Sequence, residues 1–155
     1  MPTTTRIFVK MSIIHLVIGA TLGAILMIHR WVPLGAGVPV LRASHVPLMI
    51  MGWLTQFIMG VGWWLFPPLA AHQRRSEGGK RRGQALRGSE TLFWTTFATL
   101  NMGVLLRAVF EPVYALTQVD LFRALAGISG IFLAIAAFAF VLNVWQRIQK
   151  LGPAR

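Results

Sequence analysis

One apolar stretch of this sequence contains the residues most capable of chemistry. It covers residues 41–68 and reads LRASHVPLMIMGWLTQFIMGVGWWLFPP. On a helical period, four of its residues fall near one stripe: His45, Gly52, Gln56 and Gly60. A histidine followed by glycines on the same face offers an imidazole nitrogen for iron and flat clearance for a large planar ligand. The stripe therefore predicts a b-type heme with His45 as an axial ligand.

Four arginines that are predicted to lie on the non-cytoplasmic side of a membrane point to the same ligand. Only two carboxylates, Glu111 and Asp120, are near enough to balance four arginines, namely Arg30, Arg42, Arg107 and Arg123. These side chains could simply extend to a membrane interface, as long basic side chains do. They could instead hold an anionic group, and heme propionates would supply one. On that second interpretation, Arg42 and Arg107 pair with the propionates and Arg123 belongs to the same cofactor-binding set.

The other histidines are weaker candidates for metal ligands. His15 precedes Gly19 and Gly23 on one helix face, a pattern typical of close helix packing. It lies roughly 8–14 residues deeper than His45, or ~12–21 Å at the helical rise, so one iron cannot bind both within one protomer. His29 approaches the level of His45 only if its helix tilts. The second axial ligand could also be His45 of another copy, or be absent, whereas His72 in a basic loop is expected to be solvated.

Composition places these residues in a membrane. The chain has 155 residues, is 55% hydrophobic and has a formal net charge of +11. A soluble nucleic-acid-binding protein would spread such charge over a polar surface, so a nucleic-acid partner is not expected. We predict an all-α integral membrane four-helix bundle, one domain over residues 1–155, with the lipid bilayer as its surroundings. The absence of cysteine excludes disulfides, thiolate metal sites and covalent heme attachment.

Four apolar runs set the predicted spans at residues 11–30, 39–67, 90–111 and 119–146. Pro39 is suited to the first turn of the second span, and Pro112 is expected to end the third. Thr117 or Asp120 could cap the fourth span.

The basic residues predict orientation. Eleven of the 15 lie in the N-terminal segment, the loop at residues 72–88 or the C-terminal segment. By the positive-inside rule, both termini and that loop face the cytoplasm of a bacterial cell, and the protein is a multi-pass plasma membrane protein.

The residues of the second span resemble a known family. SHVPLMIMGWLTQFIMGVGWWLFPPL is similar to the second helix of heme-copper oxidase subunit I, which carries a low-spin-heme histidine. The element NMGVLLR, ending at Arg107, is similar to one in small four-span bacterial proteins related to that subunit. The resemblance covers most of the chain and implies heme b binding at His45. It also suggests a homotrimer, because oxidase subunit I arranges three four-helix arcs around a pseudo-threefold axis.

The departures from the family limit that implication. The chain has no counterpart of the copper-site histidines, and Tyr114 is its only tyrosine. The resemblance therefore implies electron transfer or diatomic-gas handling, with an unidentified redox partner, rather than oxygen reduction, and enzymatic activity is not expected. A heme-free membrane interaction or assembly subunit is the alternative. A homo-oligomer, as a trimer or as a dimer paired through His45, would cover the two glycine-bearing faces.

Overall fold

A computed structural model describes residues 3–66, 88–145 and 147–148 of the chain. Over these residues the secondary structure is entirely helical. Four helices are long and apolar enough to cross a membrane, and they are α1 (Thr3–His29), α2 (Val38–Leu65), α3 (Glu90–Thr117) and α4 (Asp120–Trp145). The protein is therefore a four-helix membrane bundle, as predicted, and the even number of spans places the first and last helix ends on the same side.

The helix α2 is continuous but changes its winding. It begins with a 3₁₀ turn at Val38–Leu41, continues as α-helix over Arg42–Pro47, becomes a π-helix over Leu48–Thr55 and returns to α-helix over Gln56–Leu65. Pro47 has no N–H to donate within the helix, and the wider π turns follow it directly. A π segment of this length is rare, and such segments occur frequently at functional sites.

The helix α3 passes through Pro112 and ends at Thr117, so the prediction that Pro112 ends the third span was wrong. Proline lacks the N–H that would bond the carbonyl of Ala108, four residues earlier. The Ser44 hydroxyl of α2 donates to that Ala108 oxygen at 2.7 Å. A neighbouring helix thus satisfies the carbonyl that the proline leaves free, which allows the helix to continue in a medium without water.

The observed helices differ from the predicted spans mainly at their ends. The first helix begins at Thr3, eight residues before the predicted limit at residue 11, because its polar first turns remain helical outside the apolar run. Asp120 is the first helical residue of α4 rather than the residue before it, and Thr117 bonds back to Val113 O at 2.8 Å within α3. The predicted basic loop, with His72, lies outside the described residues.

Apolar packing is concentrated at one end of the bundle, where the beginnings of α1 and α3 meet the last turns of α2 and α4. Phe93 lies at the centre, with its ring 4.9 Å from that of Phe8 and 5.0 Å from that of Trp63. Around these aromatic residues the buried cluster includes residues from all four helices: Phe8, Met59, Trp63, Phe93, Leu100, Ala136 and Val144.

Two polar residues connect the end of α4 to the rest of the bundle. Asn143 bonds the backbone of Ser89 twice, accepting from its N–H and donating to its oxygen, both at 2.9 Å. Arg147 is buried and donates to the oxygens of Trp63, at 2.9 Å, and Phe66. Its guanidinium also lies over the Trp63 ring. Arg147 therefore satisfies backbone oxygens where α2 ends, which lack partners within the helix.

Candidate functional site

His45 lies in the contact between α1 and α2. Its Nδ1 is 2.8 Å from the oxygen of Gly19. A Cβ added to Gly23 would lie 2.8 Å from Cε1 of the His45 ring, so only glycine leaves room for the imidazole there. The ring is partly buried, and Nδ1 is its only hydrogen-bonded nitrogen among the described residues.

His15 makes the converse contact from α1 to α2. Its Nδ1 is 3.1 Å from the oxygen of Gly52 and 3.2 Å from Oε1 of Gln56. A Cβ added to Gly52 would lie 2.7 Å from Cγ of His15. The His15 side chain is fully buried, as is that of Gln56. Each helix therefore inserts one histidine into a glycine notch of the other, and we call this arrangement the reciprocal histidine contact.

The reciprocal histidine contact changes the interpretation of the glycine stripe. The stripe does lie on one face of α2, but α1 covers it. His15 fills the space at Gly52 and bonds Gln56, and Phe8 fills the space at Gly60, where a Cβ would lie 2.8 Å from that of Phe8. Gly52 and Gln56 were predicted to contact a cofactor, and in the structure both contact His15.

The hydrogen bonds indicate the tautomer of each ring. Each Nδ1 lies near oxygen acceptors, which favours Nδ1–H as the donor and leaves the lone pair on Nε2. In His15 this Nε2 is buried with no hydrogen-bond partner among the described residues, and the same holds for Nε2 of Gln56. Orphaned buried polar atoms of this kind call for an explanation, such as an unseen ligand or water.

The depth of the two histidines differs from the prediction. His45 faces Gly19 and Gly23, which lie only four and eight residues from His15 along α1, or ~6–12 Å at the helical rise, whereas the sequence predicted an offset of 8–14 residues. On α2, His45 is seven residues from Gly52, the residue that the His15 ring contacts, or ~10 Å at the helical rise. The offset between the two rings is thus smaller than the predicted ~12–21 Å, and we still do not expect one iron to bind both rings within one protomer.

The arginines do not gather around His45. Arg42 and Arg107 line one groove between α2 and α3, whereas His45 faces α1. Arg107 pairs with Glu111 at 2.9 Å, and Arg123 pairs with Asp120 at 3.2 Å on an exposed surface. The structure thus brings together Arg42 and Arg107, but not Arg123.

His29 is not placed near His45 either. Its Nδ1 accepts a hydrogen bond from the Leu34 N–H at 3.1 Å, in the turn that follows α1. This bond holds the connection between α1 and α2. Within the described ranges, no group of three or more His, Asp or Glu side chains could hold a metal ion.

The residues present fit a heme in one respect. A ligating histidine typically donates its other ring N–H to a carbonyl or carboxylate, as His45 does to Gly19, and this leaves Nε2 for iron. The clearance expected at Gly52 is filled, and Arg42 and Arg107 line a groove between α2 and α3 rather than the contact of His45 with α1. The chain on its own therefore offers an axial nitrogen but not an enclosed heme pocket of the predicted shape.

Comparison with known proteins adds no relative. No protein-family model matches this chain, and neither a curated protein nor a solved structure matches it. The resemblance to heme-copper oxidase subunit I therefore stays a prediction from the quoted residues of α2 and α3.

Proposed function

We propose that this protein binds heme b through Nε2 of His45 and transfers electrons or senses a diatomic gas in a bacterial plasma membrane. The observation that supports it is the 2.8 Å contact between His45 Nδ1 and the Gly19 oxygen. That bond orients the imidazole and selects the tautomer whose Nε2 can ligate iron. The resemblance of α2 to the heme-bearing helix of oxidase subunit I supports the same position.

The chemistry divides between the heme and the chain. A bound heme supplies one-electron or gas-binding chemistry, while the protein tunes it through the axial ligand and its hydrogen bond. Here the Gly19 carbonyl holds the His45 imidazole through Nδ1, and Gly23 leaves space for the ring. No oxygen-reducing step is proposed, because the sequence lacks the copper-site residues of the family.

A second copy of the chain would complete the site. A single bundle encloses His45 only on the side of α1, so a dimer paired through His45 or a trimer would supply the remaining cover. The glycine-bearing faces of α1 and α2 cover each other within one chain, so they do not require a second copy. The mass of the detergent-solubilised protein tests it, and a monomer with stoichiometric heme would contradict it.

The deciding measurement for the function is the reduced-minus-oxidised absorption spectrum of the purified protein. We expect a Soret and an α band that are lost in His45→Ala and kept in His29→Ala, the control with a histidine outside the helix contact. Added imidazole should restore the bands in His45→Ala, because it can replace the missing ligand. Full heme occupancy in His45→Ala without imidazole would show that the ligand is another residue.

One observation favours the alternative, a heme-free interaction or assembly subunit. Both histidines and their glycines are used in joining α1 to α2, and packing alone accounts for their spacing. A purified protein without any Soret band, even after incubation with hemin, would support this alternative.

A further inference from the structure

The groove between α2 and α3 has a charged end and an apolar continuation. Its charged part has a volume of about 360 Å³ and is lined by Arg42, Arg107 and Glu111. A second part of about 260 Å³ shares Arg107, Val46 and Pro47 with the first and adds apolar residues, including Ile50, Met51 and Leu133. The shared residues make the two parts one groove.

The charged end carries an excess of positive charge. Arg107 is paired with Glu111, and both side chains remain about two-fifths exposed. The Arg42 guanidinium is exposed and has no partner among the described residues. With two arginines and one glutamate, this end of the groove favours an anion, and guanidinium groups bind phosphate especially well.

The length of the groove matches one leaflet of a bilayer. From Arg42 to Met51 the α2 backbone advances nine residues, or ~14 Å at the helical rise. Half of a hydrocarbon core of ~30 Å is ~15 Å. A ligand with an anionic head at Arg42 and one apolar chain along Val46 and Met51 therefore spans the leaflet from its headgroups to its midplane.

We propose that this groove is a binding site for an anionic phospholipid, with the phosphate between Arg42 and Arg107 and an acyl chain along Val46, Ile50 and Met51. A free anion would leave the apolar part unused, and a zwitterionic lipid would leave the net charge unmatched. Basic pockets between membrane helices bind anionic lipid headgroups in this manner. The site is independent of the proposed heme ligand, because His45 faces α1.

Native mass spectrometry of the detergent-solubilised protein tests the site, after incubation with equal amounts of phosphatidylglycerol and phosphatidylcholine with identical chains. We expect the wild type to retain phosphatidylglycerol in preference. Replacing both arginines, in Arg42→Gln with Arg107→Gln, should lower its retention by at least about tenfold, because the loss of a single charge-assisted hydrogen bond already has roughly that effect. Arg123→Gln is the matched control, since that arginine is paired outside the groove, and it should retain the lipid as the wild type does.

A second pair of variants tests the apolar part without changing charge. Val46→Trp places an indole in the groove and should lower retention, whereas Val17→Trp, at an exposed position of α1, should not. Equal retention of both lipids by the wild type, or equal losses in Arg123→Gln and the double variant, would contradict the proposal. So would competition by glycerol phosphate as effective as that by the lipid.

The heme spectrum separates this site from the proposed function. If the double arginine variant loses the Soret band but retains phosphatidylglycerol as the wild type does, the arginines hold heme propionates and the lipid assignment is wrong. If it loses only the lipid, the groove and the heme ligand are separate sites. The lipid result can hold even for a protein that shows no heme at all.

Discussion

At the scale of single residues, glycine positions decide which side chains can lie between α1 and α2. His15 and His45 are large and polar, and each would be costly in lipid without a partner. Each ring instead rests where the other helix has no side chain and bonds a backbone oxygen there. A polar ring is thereby buried with one of its nitrogens hydrogen-bonded.

Gly52→Ala should destabilise the bundle. The new Cβ would lie 2.7 Å from Cγ of His15, which is held on two sides, so the helices must separate. Such overpacking typically costs about 1–3 kcal/mol. The loss should be visible as a lower denaturant midpoint in detergent micelles.

Gly127→Ala is the control for that change. It is a helical glycine of α4 with nothing within 4 Å of the added Cβ, so the substitution should be neutral or slightly stabilising. If the two alanine variants unfold at the same denaturant concentration, the close packing at Gly52 does not exist.

At the scale of helices, prolines within the spans are tolerated because neighbouring helices supply what they remove. Pro112 frees the Ala108 oxygen, and the Ser44 hydroxyl bonds it. This is why the rule that proline ends a helix failed for α3. The separate rule that proline suits the first turn of a helix held for Pro39 in α2. The compensating serine is 64 residues away, so no local pattern could have shown it.

Ser44→Ala should destabilise the protein by about 1–3 kcal/mol, the cost of leaving a buried acceptor unsatisfied. The effect should depend on the proline. In a Pro112→Ala background, the alanine N–H can bond the Ala108 oxygen within α3, so loss of the Ser44 hydroxyl should cost much less. The measurement is a double-mutant cycle of unfolding free energies, and additive effects would show that the two residues do not act on one carbonyl.

At the scale of the whole molecule, the apolar runs predicted the number of helices and their approximate limits, because the length of a span is set by the thickness of the bilayer. They could not predict which faces meet. The sequence indicates that the helix faces beginning at His15 and His45 each need a covering surface, but it does not indicate that each face covers the other. The same limit applies to the arginines. Only the packing of α3 against α2 shows that Arg42 and Arg107 line one groove, which α1 does not line.

The orientation of the bundle can be tested with single cysteines, because the natural chain has none to interfere. The basic residues predict that the connection between α1 and α2 is periplasmic and that the start of α3 is cytoplasmic. Ala36 and Ser89 are exposed positions in these two places. In intact bacterial cells we expect a membrane-impermeant maleimide to label Ala36→Cys at once, and Ser89→Cys only after permeabilisation. The reverse labelling pattern would mean that the orientation is inverted. The groove of Arg42 and Arg107 would then lie in the cytoplasmic leaflet and would bind a lipid of that leaflet.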